Sequence, residues 1–101
     1  MKTRPHVLDG YVIDSLMRDL VGHDRRPSAF LAYLTIAVAA DGGRASLSLA
    51  QLAEQTGLSK RGVQIAVRHL AGRGLIRITK DGLTEAPRYE ALRPWRREAG
   101  G

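Results

Sequence analysis

Residues 48–74 read SLAQLAEQTGLSKRGVQIAVRHLAGRG, and the fold turns on them. Ser48 followed three residues later by Gln51 is a capping-box pattern, opening a helix with Leu49, Leu52, Ala53 and Thr56 on one face. Gly57 then tolerates the positive φ of a tight turn, and Leu58 plugs that turn. Ser59 caps the next helix, in which Val63, Ala66, Val67 and Leu70 recur at i, i+3, i+4 and i+7. The other face of this helix carries Arg61, Gln64, Ile65 and Arg68. Arg73-Gly74-Leu75 ends it with a glycine stop and an apolar residue beyond.

Upstream, Asp9 is placed to cap a first helix over 10–21. At ~100° per residue Ile13, Leu16, Met17 and Leu20 fall in one arc, with Asp14, Ser15 and Arg18 opposite. Residues 22–26 form a polar connection, and Pro27 suits the first turn of a second helix reaching Ala40. That helix is apolar almost all round: Phe30, Leu31, Leu34 and Val38 line one side, and Ala29, Tyr33, Ile36 and Ala40 another. Such a segment is expected at the centre, with something packed on each side. Asp41-Gly42-Gly43 stops it, and Ala45-Ser46-Leu47 is long enough for a short strand.

Downstream, Leu75 to Lys80 alternates with period 2, and Pro87 to Leu92 is a second strand. Asp81-Gly82 invites a two-residue hairpin turn, but that register would set Ile78 against Glu85 and Ile76 against Pro87. Pairing Ile78 with Tyr89 and Ile76 with Ala91 keeps the apolar face together and sets Arg77 against Glu90 outside. The loop is then 81–86, and Pro87 stands at a strand start, where its missing N–H is tolerated.

Two short helices joined by a glycine turn and followed by this hairpin resemble the winged helix-turn-helix of bacterial transcription regulators. The matching residues are Leu52, Ala53, Gly57, Leu58 and Val63, and the resemblance spans 27–92. It implies a mainly α fold with a small β-hairpin wing: one winged helix-turn-helix domain, preceded by an extra N-terminal helix and connection over 1–26 and followed by a basic tail over 93–101. It also implies that the 59–73 helix enters the major groove of double-stranded DNA. Carried to matching positions, Arg61, Gln64 and Arg68 face the bases, and Ile65 meets a thymine methyl. Ser59, Lys60, Arg77, Lys80 and Arg88 fall to phosphates, which give affinity rather than sequence. Lys60 and Arg61 oppose the helix macrodipole by ~0.3–1 kcal/mol, an inversion that suits an anion docking at that end. Gly62 has two readings, close backbone approach to DNA or packing against the preceding helix. Trp95, between Arg93 and Arg96-Arg97, has two as well: contact with DNA or packing back onto the domain.

The charge distribution agrees with that reading. The chain of 101 residues has a formal charge of +6, and within 59–97 ten cations face only Asp81, Glu85 and Glu90, a local +7. There is no cysteine, which excludes disulfides and thiolate zinc sites. The longest nearly unbroken apolar stretch, Ala29 to Ala40, has 12 residues against the ~20 that span a bilayer. Lys2 and Arg4 imitate the start of a signal peptide, but Pro5, His6, Asp9, Gly10 and Asp14 interrupt any apolar run behind them. The chain is therefore read as mature and cytoplasmic, associated with the nucleoid.

His6, His23 and His69 show no metal-ligand spacing, and no Walker or Rossmann glycine loop occurs. Asp9, Asp14, Asp19 and Asp24 recur every five residues, which scatters them ~140° apart around a helix. No enzyme activity, metal, cofactor or small-molecule effector is expected. The expected function is sequence-specific DNA binding by a small transcriptional regulator. The alternatives are a fragment of a plasmid-type replication initiator and a winged-helix adaptor that binds protein instead. Apolar surface in the N-terminal half predicts a homodimer built from 10–40 through Ile13, Leu16, Met17, Leu20, Tyr33 and Ile36; the alternative is that the first helix covers that surface within one chain.

Overall fold

The computed structural model describes residues 5–82 and 84–96. Lys2 and Arg4, position 83 of the expected loop and 97–101 of the expected tail lie outside the described residues. A helical N-terminal segment is followed by α1 (Pro27–Ala40), β1 (Ala45–Ser46), α2 (Leu49–Thr56), α3 (Lys60–Gly72), β2 (Ile76–Thr79) and β3 (Arg88–Ala91). This makes a mainly helical domain with one small antiparallel sheet.

The helix ends obey the local chemistry. The Gln51 N–H donates to Ser48 Oγ at 3.1 Å, and the Ser48 N–H donates to Gln51 Oε1 at 2.8 Å, closing the capping box of α2. Gly57 takes φ +79°, and the Leu58 N–H is held by Thr56 Oγ1 at 3.2 Å, which fixes the turn into α3. Ser59 Oγ accepts from the Gly62 N–H at 2.9 Å. A Cβ on Gly62 would stand 3.1 Å from that same oxygen and 3.8 Å from Leu58 Cβ, so the glycine makes room for the cap and the turn, and the expected packing against the preceding helix is corrected to these two residues. At the far end the Leu75 N–H reaches the Leu70 carbonyl at 2.9 Å, the Gly74 N–H reaches that of Ala71 at 3.0 Å, and Gly74 has φ +71°. These are the two bonds of a Schellman stop.

The sheet has the order β1-β3-β2. Ile76 opposes Ala91, Arg77 opposes Glu90 and Ile78 opposes Tyr89, the register in which the apolar face stays together. β1 adds to the other edge of β3 through Ala45–Tyr89 and Ser46–Arg88. Ile76 and Tyr89 are buried, whereas Ile78, nearer the hairpin tip, remains exposed. One core joins Leu52 of α2, Val63, Ala66, Val67 and Leu70 of α3 and the inner side of α1.

The N-terminal helix departs from expectation. It is wound as two π segments, Val12–Leu16 and Arg18–His23, with N–H groups bonding five residues back: Met17 to Val12 and Asp24 to Asp19. A π turn holds ~4.4 residues, so residues four apart nearly align, and Val12, Leu16 and Leu20 become the buried stripe. Val12 replaces Ile13 and Met17, which α-helical spacing had assigned to that stripe. Asp9 does not cap this helix with its side chain; its carboxylate accepts instead from Trp95 Nε1 at 3.0 Å and Arg96 Nε at 2.7 Å.

Two further expectations are corrected by this packing. Leu16, Leu20, Tyr33 and Ile36, expected at a dimer interface, are buried within the chain, because the N-terminal helix lies on α1 and fills the place a second copy was to take. Nor is α1 covered on all sides. Ala29, Phe30, Ala32, Tyr33, Ile36 and Ala37 face the core, while Leu31 and Val38 stand exposed on the opposite side. The tail expected from 93 onward is partly structural: Trp95 stacks on Tyr11 with ring centroids 4.6 Å apart and packs against the core, so its reading as a packed residue holds.

Candidate nucleic-acid interface

The α3 helix is anchored along one face and bare along the other. Val63, Ala66, Val67 and Leu70 are buried, and the ~100° rotation per residue sends Arg61, Gln64, Ile65 and Arg68 to the opposite side, all exposed. These four residues share an arc of ~100° over two turns. Lys60 and Arg61 occupy the first turn, which contains no acidic residue. The free N–H groups of that turn, save the one taken by Ser59, lie beside the two cations. Ser59 Oγ accepts in the cap, and its O–H donates in no hydrogen bond found among the described residues.

The hairpin contributes a second group of cations, and not all are free. Arg77 Nη1 pairs with Glu90 Oε1 at 3.1 Å, and Arg88 Nη1 pairs with Asp81 Oδ2 at 3.0 Å. Both pairs are solvent-exposed, so each contributes only ~0.2–1 kcal/mol and exchanges readily with another anion. Among the described residues, Lys60, Arg61, Arg68 and Lys80 form no ion pair. The nine residues assigned to bases and phosphates therefore divide into an unpaired set on α3 with Lys80, and a paired set on the strands.

A second cluster, which sequence reading missed, holds α3 from behind. Asp24, whose side chain is 8% exposed, accepts hydrogen bonds from His69 Nε2 at 2.7 Å and His23 Nδ1 at 2.9 Å, with Arg73 Nε at 3.0 Å. These donors, the two imidazoles foremost, pull its carboxyl down to about 2. The adjacency of His23 and Asp24 was visible in the chain, but its partners lie 45 and more residues away, beyond any local spacing rule. Tyr33 Oη donates to the Leu92 carbonyl at 3.0 Å, and burial pushes the Tyr33 phenol up to about 12. That bond ties α1 to the end of β3.

Among the described residues no group of three or more His, Asp or Glu side chains is arranged to hold a metal ion. None of the described helices is long and apolar enough to cross a membrane. Comparison with models of known protein families, with curated proteins and with solved structures gives no match.

Proposed function

We propose that this protein binds double-stranded DNA in a sequence-specific manner as a winged helix-turn-helix, with α2 and α3 as the helix pair and the β2–β3 hairpin as the wing. The observation that carries the reading is the outward face of α3, where Arg61, Gln64, Ile65 and Arg68 stand exposed together above an N-terminus that holds cations and no acid. Arginine donates two bonds to guanine, glutamine reads adenine, and isoleucine fits the thymine methyl. Lys60, Lys80 and the exchangeable Arg77 and Arg88 supply phosphate contacts, and Ser59 a hydroxyl donor. The role that fits this surface is that of a small transcriptional regulator acting at the nucleoid.

A second reading, a protein-binding adaptor, is favoured by the pairing of Arg77 with Glu90 and Arg88 with Asp81, which weakens the field of the hairpin. Titration of mixed-sequence duplex at several salt concentrations separates the two. With about four phosphates neutralised per copy, log affinity falls against log salt with a slope of about −3.6. Absence of binding even at low salt would remove DNA from consideration and leave the adaptor.

A further inference from the structure

The π winding that buries Val12, Leu16 and Leu20 brings a second apolar row to the surface. Ile13, Met17 and Val21 are four residues apart and 49%, 38% and 39% exposed. At ~82° per residue the three lie within about 65° of arc, immediately beside the buried row. The edge of this row away from the core carries Asp14 and Arg18, also four apart and both exposed. Neither forms an ion pair among the described residues.

We propose that this row is a docking surface for a second copy of the chain, with the two N-terminal helices packed antiparallel about a two-fold axis near Met17. Three apolar side chains in a row with an acid and a base along one edge form a self-complementary pattern. In the antiparallel arrangement Ile13 meets the partner's Val21, and the same edges of the two helices face each other. Asp14 then lies only ~3 Å along the axis from the partner's Arg18, within reach of an arginine side chain. A parallel two-fold pair would instead turn this charged edge toward the partner's opposite edge, which carries the buried Val12, Leu16 and Leu20, and no Asp14–Arg18 pair could form. The charges thus select both the occupant and its direction. The exposed row on α1, Leu31 and Val38, has no charged edge of this kind and serves as the control. The surface is distinct from the core positions Leu16, Leu20, Tyr33 and Ile36, and the inference does not rest on DNA binding.

Sedimentation of the full chain without DNA, over a micromolar to submillimolar concentration series, tests it. The wild type is expected to dimerise reversibly. Met17→Glu should raise the dissociation constant about tenfold or more, and Asp14→Arg should raise it by placing four cations together at the contact. Combining Asp14→Arg with Arg18→Asp should restore dimerisation, an outcome that a mere loss of folding cannot mimic. All these sites are exposed, and unchanged circular dichroism checks that each variant folds. A wild type that stays monomeric throughout overturns the proposal. So does loss of the dimer in Val38→Glu with Met17→Glu unaffected, or failure of the double charge swap to rescue.

Discussion

Asp24, between the N-terminal helix and α1, accepts a 2.7 Å hydrogen bond from His69 in the last turn of α3. With Arg73 on the same carboxylate, this contact fixes the back of the helix whose front face carries Arg61 and Arg68. The orientation of the proposed reading surface therefore depends on a residue remote from it in sequence.

The first prediction follows from the charge on Asp24. Its carboxyl lies at about 2 in the folded protein, below the ordinary 3.8, so the folded state binds this proton more weakly than the unfolded one. The stabilisation is complete above about pH 4 and is lost as pH falls from there toward about 2. Asp24→Ala should lower stability at pH 7 by about 1–2 kcal/mol and flatten the acid limb of stability against pH in that window. Urea unfolding across the pH range checks both; an unchanged acid limb would mean the carboxylate contributes nothing.

How much of this was legible in the chain depends on the range of each interaction. The Ser48–Gln51 box, the Gly57 turn, the Ser59 cap and the Gly74 stop are decided within six residues, and they read directly. The hairpin register was legible too, because only one pairing of Ile76 and Ile78 keeps apolar residues on one face. The N-terminal helix was misread because one face was assigned from α spacing. Five-residue backbone bonds rotate Val12 inward and Met17 outward, and nothing in the local sequence announces them. The Asp24–His69 and Asp9–Trp95 contacts are long-range, and no periodicity encodes them. On the candidate site, spacing placed the α3 residues on one exposed face and the strand register set Arg77 against Glu90, but nothing local set Arg88 against Asp81.

Trp95 gives a second prediction. Its indole stacks on Tyr11 and donates to Asp9, closing the C-terminal segment over the start of the N-terminal helix. An aromatic pair contributes about 1 kcal/mol, which for a domain of this size corresponds to a Tm lower by about 4–8 °C in Trp95→Ala. As Trp95 is the sole tryptophan, tryptophan fluorescence reports the surroundings of this one ring. Asp9→Asn, which weakens the hold on both Trp95 and Arg96, should shift the emission to the red and raise quenching by iodide. A spectrum identical to wild type would show that the carboxylate does not position the ring.

The ion pairs on the hairpin yield a prediction of opposite sign to most mutations. Glu90 holds Arg77 and Asp81 holds Arg88, so removing either acid frees a cation for phosphate. Glu90→Gln should bind mixed-sequence DNA more tightly and steepen the salt slope by up to about 0.9, with stability changed by less than about 1 kcal/mol. Salt titrations of the variant beside wild type measure this directly. Weaker binding, or a slope that does not move, would place Arg77 away from the phosphates.

The final prediction separates reading from holding on α3. Arg68 is exposed, forms no ion pair among the described residues, and shares its arc with Arg61 and Gln64. As a base contact, its loss in Arg68→Ala should cost ~1–3 kcal/mol on the preferred site, relax the preference at one base position, and leave binding to random duplex less affected. Lys80, on the hairpin, should behave differently. Lys80→Ala ought to weaken every sequence alike and reduce the salt slope by about 1, since a phosphate contact carries charge but no sequence. Selection from a random duplex library supplies the preferred site, and competition binding with each variant gives the ratio. If both variants lose equally on selected and random DNA, α3 touches only the backbone, and the specificity assigned to Arg61, Gln64 and Arg68 falls while DNA binding itself stands.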